Sequence, residues 1–386
     1  MRYNRYMNIM NIGIKLIQAK FLGKEWPVSA SVHVTRFCDL KCKHCYAVLE
    51  TLNDTDPTTK QLEDLFTQLC KNGTVSIRLL GGEPLLRKDL PQLIKKVKSL
   101  GMYCEIVTNA SILPRRIKEW QELKMVDSIC VSLDGDNITH DSIRGTGSFE
   151  KTTTGIEAAL DAKLPIRLHG TIALEHYLKS DASPQRFLAE YSTKFGLPFN
   201  IATYCTNPSK DEATNKENKK TFELGVEIYK DLLNFKQKGM PVSTSEHILK
   251  LGIKWLEDGN NYILYGRRDK MPKGHNYCQA GVRNCFIDSD GNMYSCIPHW
   301  KKGISVFDEG GVVEAYKYMK NYRKKIDCIS CYNLQQWEYT RLFTVTDFRV
   351  AYMALSNFLK LGAGKKKIRL RGPEKPLVES DSGASV

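Results

Sequence analysis

The stretch CDLKCKHCY, residues 38–46, sets three cysteines in a C-x3-C-x2-C spacing directly after an apolar run. That run, residues 29–35, reads as a β-strand, so Cys38, Cys42 and Cys45 share one loop at its carboxyl end. Thiolates this close in sequence can converge on a metal centre from a single loop. Three ligands are one short of a closed tetrahedral zinc site and one short of capping all four irons of a cubane cluster. The loop therefore predicts a metal centre with one open position, at which a small molecule can bind.

The chain has 386 residues, 42% of them hydrophobic and 26% charged, an ordinary globular composition for two domains or one large domain with an appendage. No apolar stretch of about 18 residues occurs, so no spanning helix is predicted. Residues 1–26 lack an apolar core followed by a small-residue cleavage site, so we predict no secretory signal and a cytoplasmic location. Because cytosolic thiols stay reduced, the twelve cysteines predict metal binding rather than disulfides.

The formal net charge of +14 favours an anionic partner: nucleic acid, an acidic lipid surface, or a phosphorylated or carboxylated substrate. Part of the excess lies in a basic tail after residue 362, so the charge could equally serve solubility alone. Residues 8–22 carry apolar side chains at helical spacing, which predicts an amphipathic N-terminal helix. Such a helix docks on its own domain or lies on a membrane surface, and the second alternative would make the protein membrane-peripheral.

Strands and helices alternate from residue 29 onward. We predict strands at 29–35, 74–80, 103–108, 128–133, 166–174 and 199–204. Helices are predicted at 58–71, with Thr59 as candidate N-cap, and at 88–100, 113–123, 148–162 and 183–195. Near-continuous apolar strands alternating with helices indicate a parallel sheet covered by helices. Six βα units are too few for a closed eight-stranded barrel, so the predicted fold class is α/β, a curved and open partial (β/α)6 TIM-like barrel.

Residues 278–331 differ in character, with short segments, Gly and Asp turns and five cysteines. They predict a small cysteine-rich auxiliary domain after the barrel. The predicted division is an N-terminal helix at 1–28, the barrel at 29–240, a linker and auxiliary cluster domain at 241–340, and a C-terminal helix with a basic disordered tail at 341–386.

Four segments that could carry chemistry fall at the carboxyl ends of successive predicted strands, where the active sites of such barrels lie. They are the cysteine loop, Gly81-Gly82-Glu83-Pro84 after the second strand, Thr108-Asn109 after the third, and Ser132-Leu133-Asp134-Gly135 after the fourth. Two adjacent glycines let a backbone approach a ligand closely, and Glu83 offers a carboxylate to an ammonium group. The agreement of these segments on one rim predicts the active site.

The cysteine loop, with a strand before it and the aromatic Tyr46 behind it, resembles the signature of the radical S-adenosylmethionine superfamily. The resemblance implies that Cys38, Cys42 and Cys45 hold a 4Fe–4S cluster, whose fourth iron is chelated by the amino and carboxylate groups of S-adenosylmethionine. An electron from the reduced cluster then breaks a C–S bond of the sulfonium, and the resulting 5′-deoxyadenosyl radical abstracts hydrogen from an unactivated C–H bond. A zinc site or a purely structural loop is the alternative.

The other rim segments also resemble that family. Gly81-Gly82-Glu83-Pro84 matches its G-G-E-P segment, whose edge contacts the methionyl amino group. Thr108-Asn109 and Ser132-x-Asp134-Gly135 resemble its T-N-G and S-x-D-G segments, with Ala110 in place of the usual glycine. The resemblance implies a cofactor-binding set in which the choice between two arginines is open: Tyr46, Gly81, Gly82, Glu83, Pro84, Asn109, Ser132, and Arg144 or Arg167. Asp134 and Cys205, near the ends of the fourth and sixth strands, are the candidates for facing the substrate.

The C-terminal cysteines form a two-plus-two arrangement, Cys278 with Cys296 and Cys328 with Cys331, which suits a zinc ribbon or a four-thiolate cluster. The run from Cys278 to Cys296 resembles the start of the SPASM domain, which holds two extra 4Fe–4S clusters. No cysteine follows Cys331, so the pattern matches the shortened twitch version of that domain. The resemblance implies one auxiliary 4Fe–4S cluster on these four residues, with Cys285 as a fifth candidate ligand.

The resemblance implies an enzyme whose 5′-deoxyadenosyl radical abstracts hydrogen from a substrate that the sequence does not identify. The auxiliary cluster would transfer an electron or bind the substrate. Relatives with this layout oxidise alcohols, cyclise nucleotides or modify peptides, so we expect a small molecule, a lipid or a peptide, with an anionic one favoured by the net charge. Only 28 residues precede the first strand, which weighs against a ribosomal peptide recognised in cis. A reducing partner such as flavodoxin or ferredoxin is implied. The rival hypothesis is a non-catalytic iron–sulfur or zinc protein that binds nucleic acid, but the basic tail has no aromatic residue to support it.

Overall fold

A computed structural model describes residues 25–45, 55–173, 183–204, 219–258, 263–265, 278–300, 302–326, 328–331, 333, 334 and 337. Within them, strands and helices alternate as the sequence predicts. The strands are β1 Ser29–Thr35, β2 Ser76–Gly81, β3 Tyr103–Thr108, β4 Ser128–Ser132, β5 Ile166–Ala173, β6 Phe199–Tyr204, β7 Ile263–Tyr265, β8 Asn284–Ile287, β9 Met293–Tyr294 and β10 Cys328–Cys331. Three of the predicted strands, which became β1, β3 and β6, have the bounds that the sequence indicated.

The described helices lie between and after these strands along the chain. They are α1 Thr59–Asn72, α2 Leu90–Ser99, α3 Leu113–Glu119, α4 Asn137–Arg144, α5 Ser148–Asp161, α6 Pro184–Phe195, α7 Lys219–Gln237, α8 Glu246–Glu257 and α9 Gly311–Lys325. The N-cap of α1 is Thr58 and not Thr59, because the Thr58 hydroxyl accepts from the Gln61 N–H while the Gln61 side chain accepts from the Thr58 N–H. The short helix α4 was not predicted.

The strands β1 to β6 form a parallel sheet in which each strand lies beside its neighbour in the sequence. Parallel neighbours require a crossover connection, and helices provide it here. Among the described strands, β6 and β9 end the sheet on its two sides, so it is open rather than closed into a barrel. The predicted α/β class and open parallel sheet are confirmed.

The sheet continues into the cysteine-rich segment, which the sequence analysis set apart as a separate domain. Strand β8 pairs parallel with β1, so that Cys285 lies beside Ala30, and β9 pairs antiparallel with β8. Strand β10, which carries Cys328 and Cys331, pairs antiparallel with β7. The proposed boundary at residue 241 itself stays a prediction.

The two faces of the sheet differ in polarity because side chains alternate along each strand. Val32, Leu79, Ile106, Ile129 and Leu168 are fully buried on the face that packs against the helices. The opposite face, called the inner face below, is lined mainly by polar side chains: Ser31, His33, Arg78, Glu105, Cys130, Ser132, Arg167, His169 and Asn200. A parallel sheet buried against helices on both faces would have apolar residues on both. The inner face is therefore suited to polar contents.

Several predictions fall on parts of the chain outside the described residues. These are the amphipathic helix at 8–22, Tyr46, Cys205, and the C-terminal helix and tail from residue 341. None of the helices that the structure describes combines the length and the apolarity needed to cross a membrane.

Candidate functional site

The cysteine loop begins where β1 ends, at the carboxyl edge of the sheet. Cys38 and Cys42 are partly buried and Cys45 is exposed. The Leu40 N–H donates to Cys38 Sγ at 3.4 Å, and the Cys45 N–H donates to the Cys42 carbonyl at 3.1 Å. Burial raises the pKa of Cys38 to about 12 and also raises the pKa of Cys42. These two thiols are therefore protonated at neutral pH until a metal displaces their protons.

Gly81 and Gly82 lie against the backbone at the start of the cysteine loop. A Cβ on Gly81 would stand 2.2 Å from the Thr35 carbonyl oxygen, and one on Gly82 would stand 2.2 Å from the Phe37 carbonyl oxygen. The Gly82 N–H donates to the Thr35 carbonyl at 2.8 Å, and the Glu83 N–H donates to the Phe37 carbonyl at 2.7 Å. The close approach that the sequence analysis expected toward a ligand is thus made toward the loop that carries the cysteines.

Glu83 is buried, with 1% of its surface exposed, and its carboxylate connects the ends of β2 and β3. Its Oε1 accepts from the Thr108 hydroxyl at 2.8 Å and from the Leu85 N–H at 3.0 Å, and its Oε2 accepts from the Asn109 N–H at 2.8 Å. Burial raises the pKa of Glu83 to about 7, although these bonds favour the anion. Pro84 begins the single 3-10 turn that follows. Glu83 therefore has a structural role in the site, beside any contact with a ligand.

Asp39, which the sequence analysis did not single out, joins the cysteine loop to the end of β3. Its Oδ1 accepts from Asn109 Nδ2 at 2.8 Å, and its Oδ2 accepts from the Ser111 hydroxyl. The Ser111 N–H in turn donates to Asn109 Oδ1 at 2.8 Å. Ala110 between them has a left-handed φ of 63°, which fits the glycine that the family pattern has at this position. The one sequence signal for Asp39 is its place directly after the first cysteine.

Arg144, the last residue of α4, connects Asp134 with the cysteine loop. Its Nε and Nη2 donate to the two carboxylate oxygens of Asp134, at 2.5 Å and 3.2 Å. Its Nη1 lies 3.9 Å from Cys42 Sγ, and its Nη2 lies 3.4 Å from His44 Nε2. Burial disfavours the Asp134 carboxylate, but the charge of Arg144 outweighs it and holds the pKa of Asp134 at about 2. The carboxylate that was a candidate for facing the substrate is therefore paired with Arg144.

Arg167 and Ser132 lie on the inner face of the sheet. Arg167 forms an ion pair with Glu105 and donates to Asn200 Oδ1 at 3.0 Å. Ser132 is the last residue of β4 and lies beside His169 of β5 in the register of the sheet. The structure thus separates the two candidate arginines, because Arg144 contacts the cysteine loop and Arg167 belongs to a charged group within the inner face.

The structure describes all four cysteines of the two-plus-two arrangement, and two of them lie on β10. Cys278, Cys296, Cys328 and Cys331 are all partly buried. Burial raises the pKa of Cys331, and the other three sulfurs raise it further. Burial raises the pKa of Cys296 to about 12, with Cys278 and Cys328 adding to the shift. The Ala280 N–H donates to Cys278 Sγ at 3.4 Å, as the Leu40 N–H does at Cys38, and such hydrogen bonds to sulfur are among the features that tune iron–sulfur sites.

Cys285 stands apart from these four cysteines. It lies on the helix-facing side of β8, with 1% of its surface exposed, among the apolar residues of the core. Burial raises its pKa to about 12, and no other thiol contributes. Among the residues that the structure describes, no three His, Cys, Asp or Glu side chains surround a single-ion site.

Trp300 links the cysteine-rich segment to the inner face. Its ring lies 5.2 Å from that of His33 on β1 and 5.1 Å from that of Tyr294 on β9. Tyr294 in turn stacks on Phe286 of β8 at 5.8 Å. The neighbouring residue His299 has its Nδ1 3.2 Å from Cys296 Sγ. Aromatic rings from this segment therefore border the inner face beside β1.

Comparison with known proteins supports the assignment of the cysteine loop and the rim segments to one site. The sequence profile of the Radical SAM superfamily matches residues 32–181, which contain the cysteine loop and the rim segments after β2, β3 and β4. Fe-coproporphyrin III synthase of Methanosarcina barkeri is 32% identical over 36% of this chain and 36% of its own length. AdoMet-dependent heme synthase of the same organism is 25% identical over 68% of this chain and 74% of its own length. The chain thus spans little more than a third of the first relative.

Among solved structures, Streptococcus suis SuiB bound to its precursor peptide SuiA has a similar fold, with a TM-score of 0.52. The two chains are 19% identical, and the likeness covers 82% of this chain and 70% of SuiB. At that identity the likeness speaks for the fold alone, whereas the profile match includes the three-cysteine loop itself. Residues 32–181, which contain the three-cysteine loop, thus form a domain of the Radical SAM superfamily.

Proposed function

We propose that the chain is a radical S-adenosylmethionine enzyme whose first cluster is held by Cys38, Cys42 and Cys45. The observation that carries this proposal is the anchoring of the three-cysteine loop to the segments after β2 and β3. A 4Fe–4S cluster bound there with S-adenosylmethionine supplies the 5′-deoxyadenosyl radical that abstracts hydrogen from the substrate. Three thiolates leave one iron open to the cofactor.

The residues around the loop present its thiols in a fixed arrangement. Gly82 holds the start of the loop through the Thr35 carbonyl, and Asn109 holds it through Asp39, so the geometry of the loop does not depend on the metal alone. Arg144 places a positive charge beside Cys42 Sγ, which favours the thiolate over the thiol. Arg144 rather than Arg167 is therefore our choice for the cofactor-binding arginine. The other proposed cofactor contacts are those of the sequence analysis: Tyr46, Gly81, Gly82, Glu83, Pro84, Asn109 and Ser132.

We further propose one closed auxiliary 4Fe–4S site on Cys278, Cys296, Cys328 and Cys331. The two-plus-two spacing of these cysteines supports it, together with the Ala280 N–H that donates to Cys278 Sγ. Cys285 is not a ligand in this proposal, since it faces the helix layer. Loading the site must release protons from the buried thiols, so metal binding weakens as the pH falls.

The substrate proposed first is an anionic small molecule, with a reducing partner such as flavodoxin or ferredoxin. The net charge of +14 supports an anionic substrate. The names of the two relatives refer to an iron coproporphyrin and to heme, both small molecules. Peptide modification is the second candidate, because the structure of SuiB was solved with a precursor peptide.

The test of the proposed function is anaerobic reconstitution with iron and sulfide, followed by reduction in the presence of S-adenosylmethionine. We expect about eight irons per chain, since two cubane clusters hold four each, and formation of 5′-deoxyadenosine. Replacing Cys38, Cys42 and Cys45 by Ala should leave about four irons and abolish 5′-deoxyadenosine. Cys285→Ala is the matched control and should keep about eight irons.

Two results would contradict parts of this proposal separately. A wild-type chain that binds iron and forms no 5′-deoxyadenosine would remove the enzymatic function. Loss of all iron in the triple variant would remove the auxiliary site, and zinc in that variant would identify it as a zinc site.

A further inference from the structure

The inner face of the sheet carries a charged group that the cofactor motifs do not include. Ser31, Arg78 and Glu105 lie side by side on β1, β2 and β3 in the register of the sheet. Cys130 and Arg167 lie side by side on β4 and β5. The interior of an ordinary barrel is filled by branched apolar residues. Charges in that place therefore require either mutual compensation or a ligand.

Glu105 is shared between two arginines, but unequally. Arg167 contacts Glu105 Oε1 through its Nη2, and its Nη1 donates to Asn200. Arg78 reaches the same oxygen only through its Nε, at 3.7 Å, which is too long for a hydrogen bond. The Arg78 Nε is buried and has no hydrogen-bond partner among the described residues. Within the described part of the chain, Arg167 therefore pairs with Glu105, while Arg78 donates no hydrogen bond from its Nε.

The group as a whole has an excess of one positive charge. Burial opposes ionisation of Glu105, but Arg167 and Arg78 hold its pKa below the usual value, so it carries one negative charge against two guanidinium groups. Burial lowers the pKa of His33 to about 3 and that of His169 to about 4, so both rings are neutral at pH 7. An anionic ligand would balance the remaining charge.

We propose that Arg78 binds an oxyanion of the substrate, a carboxylate or a phosphate, on the inner face below the cysteine loop. Arg78 precedes Gly81, the end of β2, by three residues, or about 10 Å along the strand. An arginine fork binds either oxyanion through two parallel N–H···O bonds. The Arg78 side chain is 39% exposed as a whole, so a ligand can reach it although its Nε is buried. The inference rests on the proposed function, because it assigns the substrate of that enzyme to the inner face.

The experiment uses the full chain reconstituted with iron and sulfide, without S-adenosylmethionine. Succinate and inorganic pyrophosphate are titrated calorimetrically, each against sodium chloride of equal ionic strength. We expect the wild type to bind at least one of them, Arg78→Gln to weaken that binding at least about tenfold, and Arg78→Lys to fall between. Arg115→Gln is the matched control, because Arg115 is exposed on α3 and pairs with Glu119, and it should bind as the wild type does.

The outcomes separate the inference from its alternatives. Succinate bound through Arg78 assigns a carboxylate substrate, and pyrophosphate alone assigns a phosphate. Equal binding by the wild type and Arg78→Gln, at equal iron content and equal circular dichroism, would overturn the inference, as would no binding of either probe above the chloride baseline. Failure of the proposed function is recognised separately, because the wild type would then form no 5′-deoxyadenosine whatever its anion binding.

Discussion

Asp134 and Arg144 form a buried ion pair beside the cysteine loop. The Asp134 side chain has no exposed surface and that of Arg144 has 8%. The Thr171 N–H donates to Asp134 Oδ1 at 2.9 Å, so the carboxylate is fixed from the strand side as well. Breaking a buried pair by removing one partner leaves an uncompensated charge, which costs far more than the pair itself contributes. The effect of replacing one of these residues on the free energy of unfolding should therefore depend on whether the other is present.

Arg144→Gln is expected to lower the free energy of unfolding by about 3–5 kcal/mol, because it leaves the Asp134 carboxylate buried and unpaired. Adding Asp134→Asn should recover a large part of that loss, since no charge then remains to be compensated. Urea unfolding of the iron-free chain at pH 7 measures both variants. Lys254→Gln in the exposed pair with Asp258 is the control and should change stability by less than about 1 kcal/mol. Additive effects of the two substitutions would show that the pair is not coupled.

Individual residues of the site could be predicted from the sequence more readily than the residues that they contact. Glycine, cysteine and glutamate motifs are visible in the order of the chain, so Cys38, Gly82 and Glu83 could be named from it. The choice between Arg144 and Arg167 could not be made, because it depends on α4, whose position relative to the cysteine loop is a tertiary feature. Asp39 was missed for the same reason, since its partners lie about 70 residues away.

At the scale of elements, the junction between β2 and the cysteine loop is set by backbone proximity. Gly82→Ala would place a methyl group 2.2 Å from the Phe37 carbonyl oxygen, and backbone atoms cannot move aside as a flexible side chain can. The loop must then shift away from β2. We expect the variant to hold about four irons instead of about eight after reconstitution and to lose 5′-deoxyadenosine formation.

The control for that prediction is Gly196→Ala at the end of α6. Gly196 has a φ of +65° and nothing within 4 Å of the position of its Cβ, so alanine there strains the backbone without crowding a neighbour. It should cost about 1 kcal/mol of stability and leave iron content unchanged. Normal iron content in Gly82→Ala would show that the glycine pair is not needed for the cysteine loop.

The elements themselves were predicted where the local pattern is strong. The apolar runs of β1 and β3 are followed by the polar residues Arg36 and Asn109, and that of β6 is preceded by Pro198, so their bounds follow from the sequence. The eight-residue α4 escaped notice because it is little more than two turns, a length at which periodicity carries little information. Strand β8 escaped because a four-residue strand is recognised by its partner, β1, which lies about 250 residues earlier.

At the scale of the whole molecule, β8 makes the cysteine-rich segment part of the main sheet. Its pairing with β1 means that the strand before the first cysteine loop is flanked by β2 on one side and by the auxiliary segment on the other. Ile287 of β8 is fully buried and lies beside Val32. A substitution that weakens the packing of β8 should therefore destabilise both proposed metal sites, and not the cysteine-rich segment alone.

Ile287→Ala tests this coupling in the background in which Cys38, Cys42 and Cys45 are replaced by Ala, so that iron–sulfur absorbance reports the C-terminal site alone. Removing a buried isoleucine side chain costs about 2–5 kcal/mol, and we expect the loss to lower the midpoints of helix unfolding and of cluster loss together. Both midpoints are read in one urea titration, by circular dichroism and by visible absorbance. Val313→Ala on α9, where the side chain is 40% exposed, should move neither by a comparable amount. Two separate transitions, with only the absorbance shifted by Ile287→Ala, would show that the cysteine-rich segment unfolds on its own and that β8 does not couple it to the sheet.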